Sequence, residues 1–192
     1  MKYTKIPVDA FKKLQVNAGV AAADFKPDTG EMKREDILGM TTGGLTFQAV
    51  VNTRDRAENF DNVPKNTKEF LEITDRTVTA STTFVSIDER LTALLNAAMD
   101  VDGEKFTPRD KLKDTDFKDL WIIGDYTDEN DENNGGYIAI HMMNVLSTGG
   151  FQMKTKDKGN GEFAAVFTAH YTEKNMELVP YEMYIHKGAA AA

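Results

Sequence analysis

The stretch Ser86-Ile87-Asp88-Glu89-Arg90-Leu91-Thr92-Ala93-Leu94-Leu95-Asn96-Ala97-Ala98-Met99 decides the fold, because it alone carries helical spacing in a chain whose other long segments alternate like strands. Ile87, Leu91, Leu94, Leu95 and Ala98 recur at three- and four-residue intervals and form one apolar stripe. Ser86 followed by Glu89 has the form of a capping box, and Asp88 and Glu89 suit the positive end of the helix dipole. Gly103 supplies a stop, although Asp100 and Asp102 lie where that dipole prefers cations. One amphipathic helix between strands buries its stripe on a sheet.

Outward from the helix, strands are expected at Val16–Val20, Leu45–Val51, Phe70–Val85, Leu120–Gly124, Tyr137–Asn144, Phe151–Thr155, Phe163–Tyr171 and Val179–Ile185. Leu45, Phe47 and Ala49 point inward, and so do Phe163, Ala165, Phe167, Ala169 and Tyr171. In Phe70–Val85 the inward parity changes near Asp75-Arg76, which implies a bulge or a tight hairpin. Turn formers mark Phe25–Glu31 and Lys158–Gly161. Two connectors lack a sustained period, Asn52–Thr67 and Asp102–Asp119, and a loop as long as the first is usually an interaction element. The fold class is therefore mainly β: an antiparallel β-sandwich or partly closed barrel with one flanking α-helix over about residues 86–99. Residues 1–186 read as one domain, and residues 187–192, Ala-rich, as a tail carrying no fold information.

Composition sets the class. With 41% apolar, 28% charged and 9% aromatic residues, the 192-residue chain is in the ordinary globular range. No apolar run reaches the ~20 residues of a membrane span, and Met1–Ala10 lacks a secretory apolar core, so a soluble, unexported chain is expected. The absence of cysteine rules out disulfides and thiolate metal sites. A net charge of −8 disfavours nonspecific grip on DNA or anionic membranes.

Chemistry is sparse. His141, His170 and His186 have no carboxylate or second histidine two residues away, where strand side chains share a face, and read as structural. The acidic run Asp125, Asp128, Glu129, Asp131 and Glu132 invites calcium, but its spacing departs from the EF-hand loop and fits a solvated hairpin tip better. No phosphate loop, G-x-S-x-G elbow or H-E-x-x-H motif occurs, so no catalytic, cofactor or metal residues are assigned and the chain is not expected to be an enzyme.

Met1-Lys2-Tyr3-Thr4-Lys5-Ile6-Pro7, Leu38-Gly39-Met40-Thr41-Thr42-Gly43-Gly44, Asn62–Glu69, Gly136–His141 and Ser147–Phe151 together resemble the major tail proteins of long-tailed bacteriophages. The similarities are scattered from Met1 to about His186 and form no sharp signature. The resemblance implies a tail-tube subunit: a β-sandwich or barrel with a flanking helix, in hexameric rings that stack into a genome-delivery tube. It also implies contacts with tape measure and terminator proteins, DNA passing without specific binding, no membrane anchor, and a place in the virion tail after assembly in the host cytoplasm. A calcium-dependent carbohydrate-binding β-sandwich is the competing reading.

Candidate assembly contacts are Arg54, Arg56, Glu58 and Asp61 in the first connector, the acidic Asp128, Glu129, Asp131 and Glu132, and the basic Lys154, Lys156 and Lys158. Asp119–Met153 holds six acidic residues and no Lys or Arg, and the lysines follow at once, so ring stacking could set one charge edge against the other.

Overall fold

The computed structural model describes residues 15–126 and 136–186. Its strands are β1 (Gln15–Ala22), β2 (Thr41–Asp55), β3 (Leu71–Phe84), β4 (Met99–Asp102), β5 (Lys105–Pro108), β6 (Lys118–Tyr126), β7 (Gly136–Ser147), β8 (Gln152–Lys154), β9 (Glu162–Ala169) and β10 (Tyr181–His186), and helix α1 is Glu89–Leu95. The large sheet runs β1-β6-β7-β9-β3-β2, with β10 on β7 and β8 on β9, and every pairing is antiparallel. β1 and β2, at its two ends, are not hydrogen-bonded to each other, so the sheet folds over as a sandwich without closing as a barrel.

β7 makes the fold-over possible. Tyr137–Met142 pair with β10, and Val145–Ser147 pair with β9. Between them Asn144 adopts φ 50°. Its N–H donates to Asp119 Oδ1 at 3.1 Å, which holds the bend. One core then draws Ile122, Ile140 and Met142 from the first half of the sheet and Val78, Phe84 and Phe167 from the second. The middle of β6, Leu120–Gly124, is a continuous apolar run because both faces are covered: Leu120 and Ile122 join that core, while Trp121 and Ile123 pack with Ala22, Phe25 and Ala139 on the other side.

The helix exists but is shorter than the sequence suggests. Ser86 does not cap it, because its hydroxyl accepts from the Met40 N–H at 2.8 Å. Asp88 is the cap, accepting from the Leu91 N–H at 2.7 Å. Ile87 therefore lies outside the stripe and is 38% exposed, whereas Leu91 and Leu95 are fully buried. Asn96 closes the C-terminus, Ala97 turns left-handed at φ 61°, and Met99 already belongs to β4.

Gly103 stops no helix. It adopts φ 59° in the turn joining β4 to β5, where the second connector had been expected to be irregular. The first connector is also shorter than expected, because β2 runs on to Asp55 and pairs with Leu71. The strand read to Tyr171 ends at Ala169.

Candidate assembly surfaces

β2 and β3 build an arm. Along the core, Ala49 pairs with Val78 on the buried face. Beyond it, Val51 pairs with Arg76, and then β3 gains one residue: Asn52 faces Asp75 but Thr53 faces Ile73, leaving Thr74 unpaired. This is the bulge anticipated near Asp75. It corrects the parity, so that Ile73 and Leu71 join Val51 on the face continuous with the core. Nothing in the chain covers that face among the described residues: Val51, Leu71 and Ile73 are 40%, 43% and 55% exposed.

The tip of the arm is organised. Asp55 accepts from the Ala57 N–H at 2.9 Å and the Asn66 N–H at 2.8 Å, tying both ends of the turn to one carboxylate. Ala57 is buried inside the turn, and Phe60 rests edge-on against Phe70 while remaining 58% exposed. Arg54 and Arg56 both approach Glu72, at 3.4 and 3.9 Å. These pairs are exposed and contribute little. Glu58 and Asp61 make no ion pair among the described residues.

A cavity of about 630 Å³ opens beside α1. Leu94, Ala97, Met99 and Val101 line it with apolar surface. Most of its charges are committed: Arg109 hydrogen-bonds Asp116 at 2.7 Å and forms an ion pair with Asp100 at 2.8 Å, and Lys113 hydrogen-bonds Asp100 at 3.0 Å. Burial pushes the Asp116 carboxyl up, but the Lys113 N–H and the Arg109 guanidinium outweigh it and hold the group below the ordinary carboxylate value. Arg90, which donates to the Glu35 carbonyl, and Lys118 also line the cavity without a carboxylate partner among the described residues. Sequence reading missed this cavity, although Asp102-Gly103 between alternating apolar residues signalled the hairpin forming one wall.

The remaining candidate residues do not gather. Lys156 pairs with Glu162 within the β8–β9 hairpin and draws that carboxyl below its usual value. Lys154 lies in β8, opposite Glu162, and Lys158 in the turn beyond it. Asp128, Glu129, Asp131 and Glu132 lie outside the described residues, whereas Asp125 accepts from the Asn17 amide.

His141 does have a carboxylate neighbour, reached across strands. Asp119 Oδ2 lies 3.1 Å from its Nε2, and the ring stacks on Trp121 at 4.2 Å. The hydrogen bond with His141 lowers the Asp119 carboxyl against the effect of burial, with help from the Asn144 N–H. Asp119 thereby ties β6 to β7 at the bend. Among the described residues no three His, Asp or Glu side chains converge to hold a metal ion.

No protein family matches the sequence, and no curated protein matches it. Among solved structures, a chain from the virion of a native gene transfer agent particle superposes with a TM-score of 0.40 at 8% identity, over 88% of this chain and 95% of that one.

Proposed function

We propose that this chain is a virion structural protein of the tail-tube kind, whose copies assemble into rings, six to a ring as the sequence resemblance implies, that stack around a channel for DNA. The observation that carries the reading is the arm. A strand pair that leaves Val51, Leu71 and Ile73 partly exposed on its core-side face, beside Arg76, and ends in a braced tip is the form expected of an element that finishes its burial against another copy. The acidic balance suits a channel wall that DNA must pass without adhering. Tape measure and terminator proteins would then be its neighbours at the tube ends, and the virion tail its location. Negative-stain microscopy of the concentrated protein tests the proposal. Rings or tubes are expected, and a monodisperse monomer at high concentration across a range of salt would overturn it.

A further inference from the structure

We infer that the cavity beside α1 is a binding site for a small amphipathic anion, a straight-chain fatty carboxylate, whose chain lies against Leu94, Ala97 and Met99 and whose head group is held by Arg90 and Lys118. A single copy of the chain is enough, so the site stands or falls apart from any assembly.

Helix α1 has two apolar faces. Leu91 and Leu95 are spent on the core, where both are fully buried. Arg90, Ala93, Leu94 and Ala97 follow the three- and four-residue intervals that bring side chains to one face, and all four line the cavity. Two of them are alanines, so the helix surface stays low there and leaves space. Met99 and Val101 of β4 add to the apolar lining. At about 630 Å³ the space falls within the range of pockets that bury small ligands, and its lining suits a hydrocarbon chain.

The β4–β5 wall is held in place without a ligand. The Arg109 N–H donates to the Ala98 carbonyl at 3.0 Å, and its guanidinium donates to the Met99 carbonyl at 3.2 Å and to Asp116 Oδ1 at 2.7 Å. Asp116 in turn accepts from the Lys113 N–H at 2.7 Å, tying the hairpin to the turn before β6. A site braced in this way loses little freedom when it is filled.

The charges choose the head group. Arg109 and Lys113 are balanced by Asp100 and Asp116, and Asp119 is engaged by His141 and the Asn144 N–H. Arg90 and Lys118 remain without a carboxylate partner among the described residues. Arg90 is positioned by the Glu35 carbonyl, which fixes the guanidinium without cancelling its charge and leaves it further N–H donors. An oxyanion meets these donors with charge-assisted hydrogen bonds, whereas a neutral head gains less and a cation is repelled.

Calorimetric titration of the full chain with decanoate, below its micelle concentration, tests the site. Saturable binding is expected, with decanol about twentyfold weaker and decylamine weaker still. Arg90→Gln and Lys118→Gln should each weaken decanoate about fivefold, the upper end for an exposed charge pair, and together about twentyfold, with decanol unaffected. Arg90→Glu combined with Lys118→Glu should reverse the order, so that decylamine binds more tightly than decanoate. Ala93→Phe should fill the cavity and abolish uptake of every probe. The Met99 methyl resonance should shift on binding, while those of Met153 and Met183, exposed on β8 and β10, should stay in place. Both rim cations are on exposed residues, so their variants keep the test decisive even if Ala93→Phe does not fold. No saturable binding, decanol binding as tightly as decanoate, or decanoate affinity unchanged in the double glutamine variant would each overturn the assignment.

Discussion

Replacing Val51, Leu71 and Ile73 together by threonine tests whether the arm face is an interface. Threonine keeps the strand propensity and removes most of the apolar character. Full burial of one such side chain stabilises by about 1.5 to 3 kcal/mol. At 40%, 43% and 55% residual exposure, the three leave a little more than one whole side chain still to be buried. Covering them in an assembly should therefore be worth about 2 to 4 kcal/mol per contact, or roughly a 30- to 1000-fold change in the association constant. Sedimentation velocity across a concentration series measures that shift, and a thermal melt of dilute monomer supplies the control. The monomer should melt within about 0.5 kcal/mol of the parent, as for surface substitutions generally. Unchanged association would show that this face meets no partner. A large loss of monomer stability would show that it is core after all, and either result refutes the argument.

Further outcomes follow from the fold. Leu91→Ala, at a fully buried position on α1, should cost about 2 to 5 kcal/mol by urea denaturation, while the exposed Ile87→Ala should stay near the parent. Deleting Thr74 should remove the bulge while Ile73 and Leu71 keep their pairing with Thr53 and Asp55 on the same face, so amide exchange should slow around Asp75 and assembly should persist. Asp116 and Asp119 have depressed carboxyl values, so their contribution is complete above the unfolded value near 3.8 and is lost as pH falls through the lower folded values. Acid unfolding followed by fluorescence of Trp121 should thus begin at higher pH in the parent than in Asp119→Asn once each curve is scaled to its own stability at pH 7.

What could be read from the sequence was whatever local spacing encodes. Leu91, Leu94 and Leu95 announced the helix, and Leu45-Phe47-Ala49 and Phe163-Ala165-Phe167-Ala169 announced strands, because each run buries one face. The helix ends were not legible, since Ser86 is drawn away by the Met40 N–H, a partner distant in sequence, and Ala97 adopts a left-handed turn that propensity does not favour. The outer end of β2 escaped for a related reason. Asn52-Thr53-Arg54-Asp55 is polar on both faces, so no alternation marks it, and only pairing with β3 makes it a strand. The cavity draws residues from Ala23 to Asp119, and no window of sequence contains it.

The arm and the charges would then play separate parts in any assembly, and salt should distinguish them. Apolar burial on the arm supplies affinity that added sodium chloride does not screen, whereas ion pairs between copies give orientation that screening removes. A net charge of −8 on every copy adds a third contribution of opposite sign, because salt also relieves repulsion between like-charged molecules. Stacking of an acidic edge on the lysine edge would by itself predict assembly that only weakens with salt. That argument is thinner than the bare sequence suggests, since Lys156 is already paired with Glu162 and two lysines remain to meet a neighbour. Between 0.1 M and 1 M salt the Debye length contracts from ~10 Å to ~3 Å, which is enough to silence both charge effects. Assembly that strengthens with salt would mean that general repulsion outweighs the specific pairs and that the arm carries the affinity. Assembly that dissolves would mean that the pairs carry it, and the threonine substitutions on the arm should then have little effect.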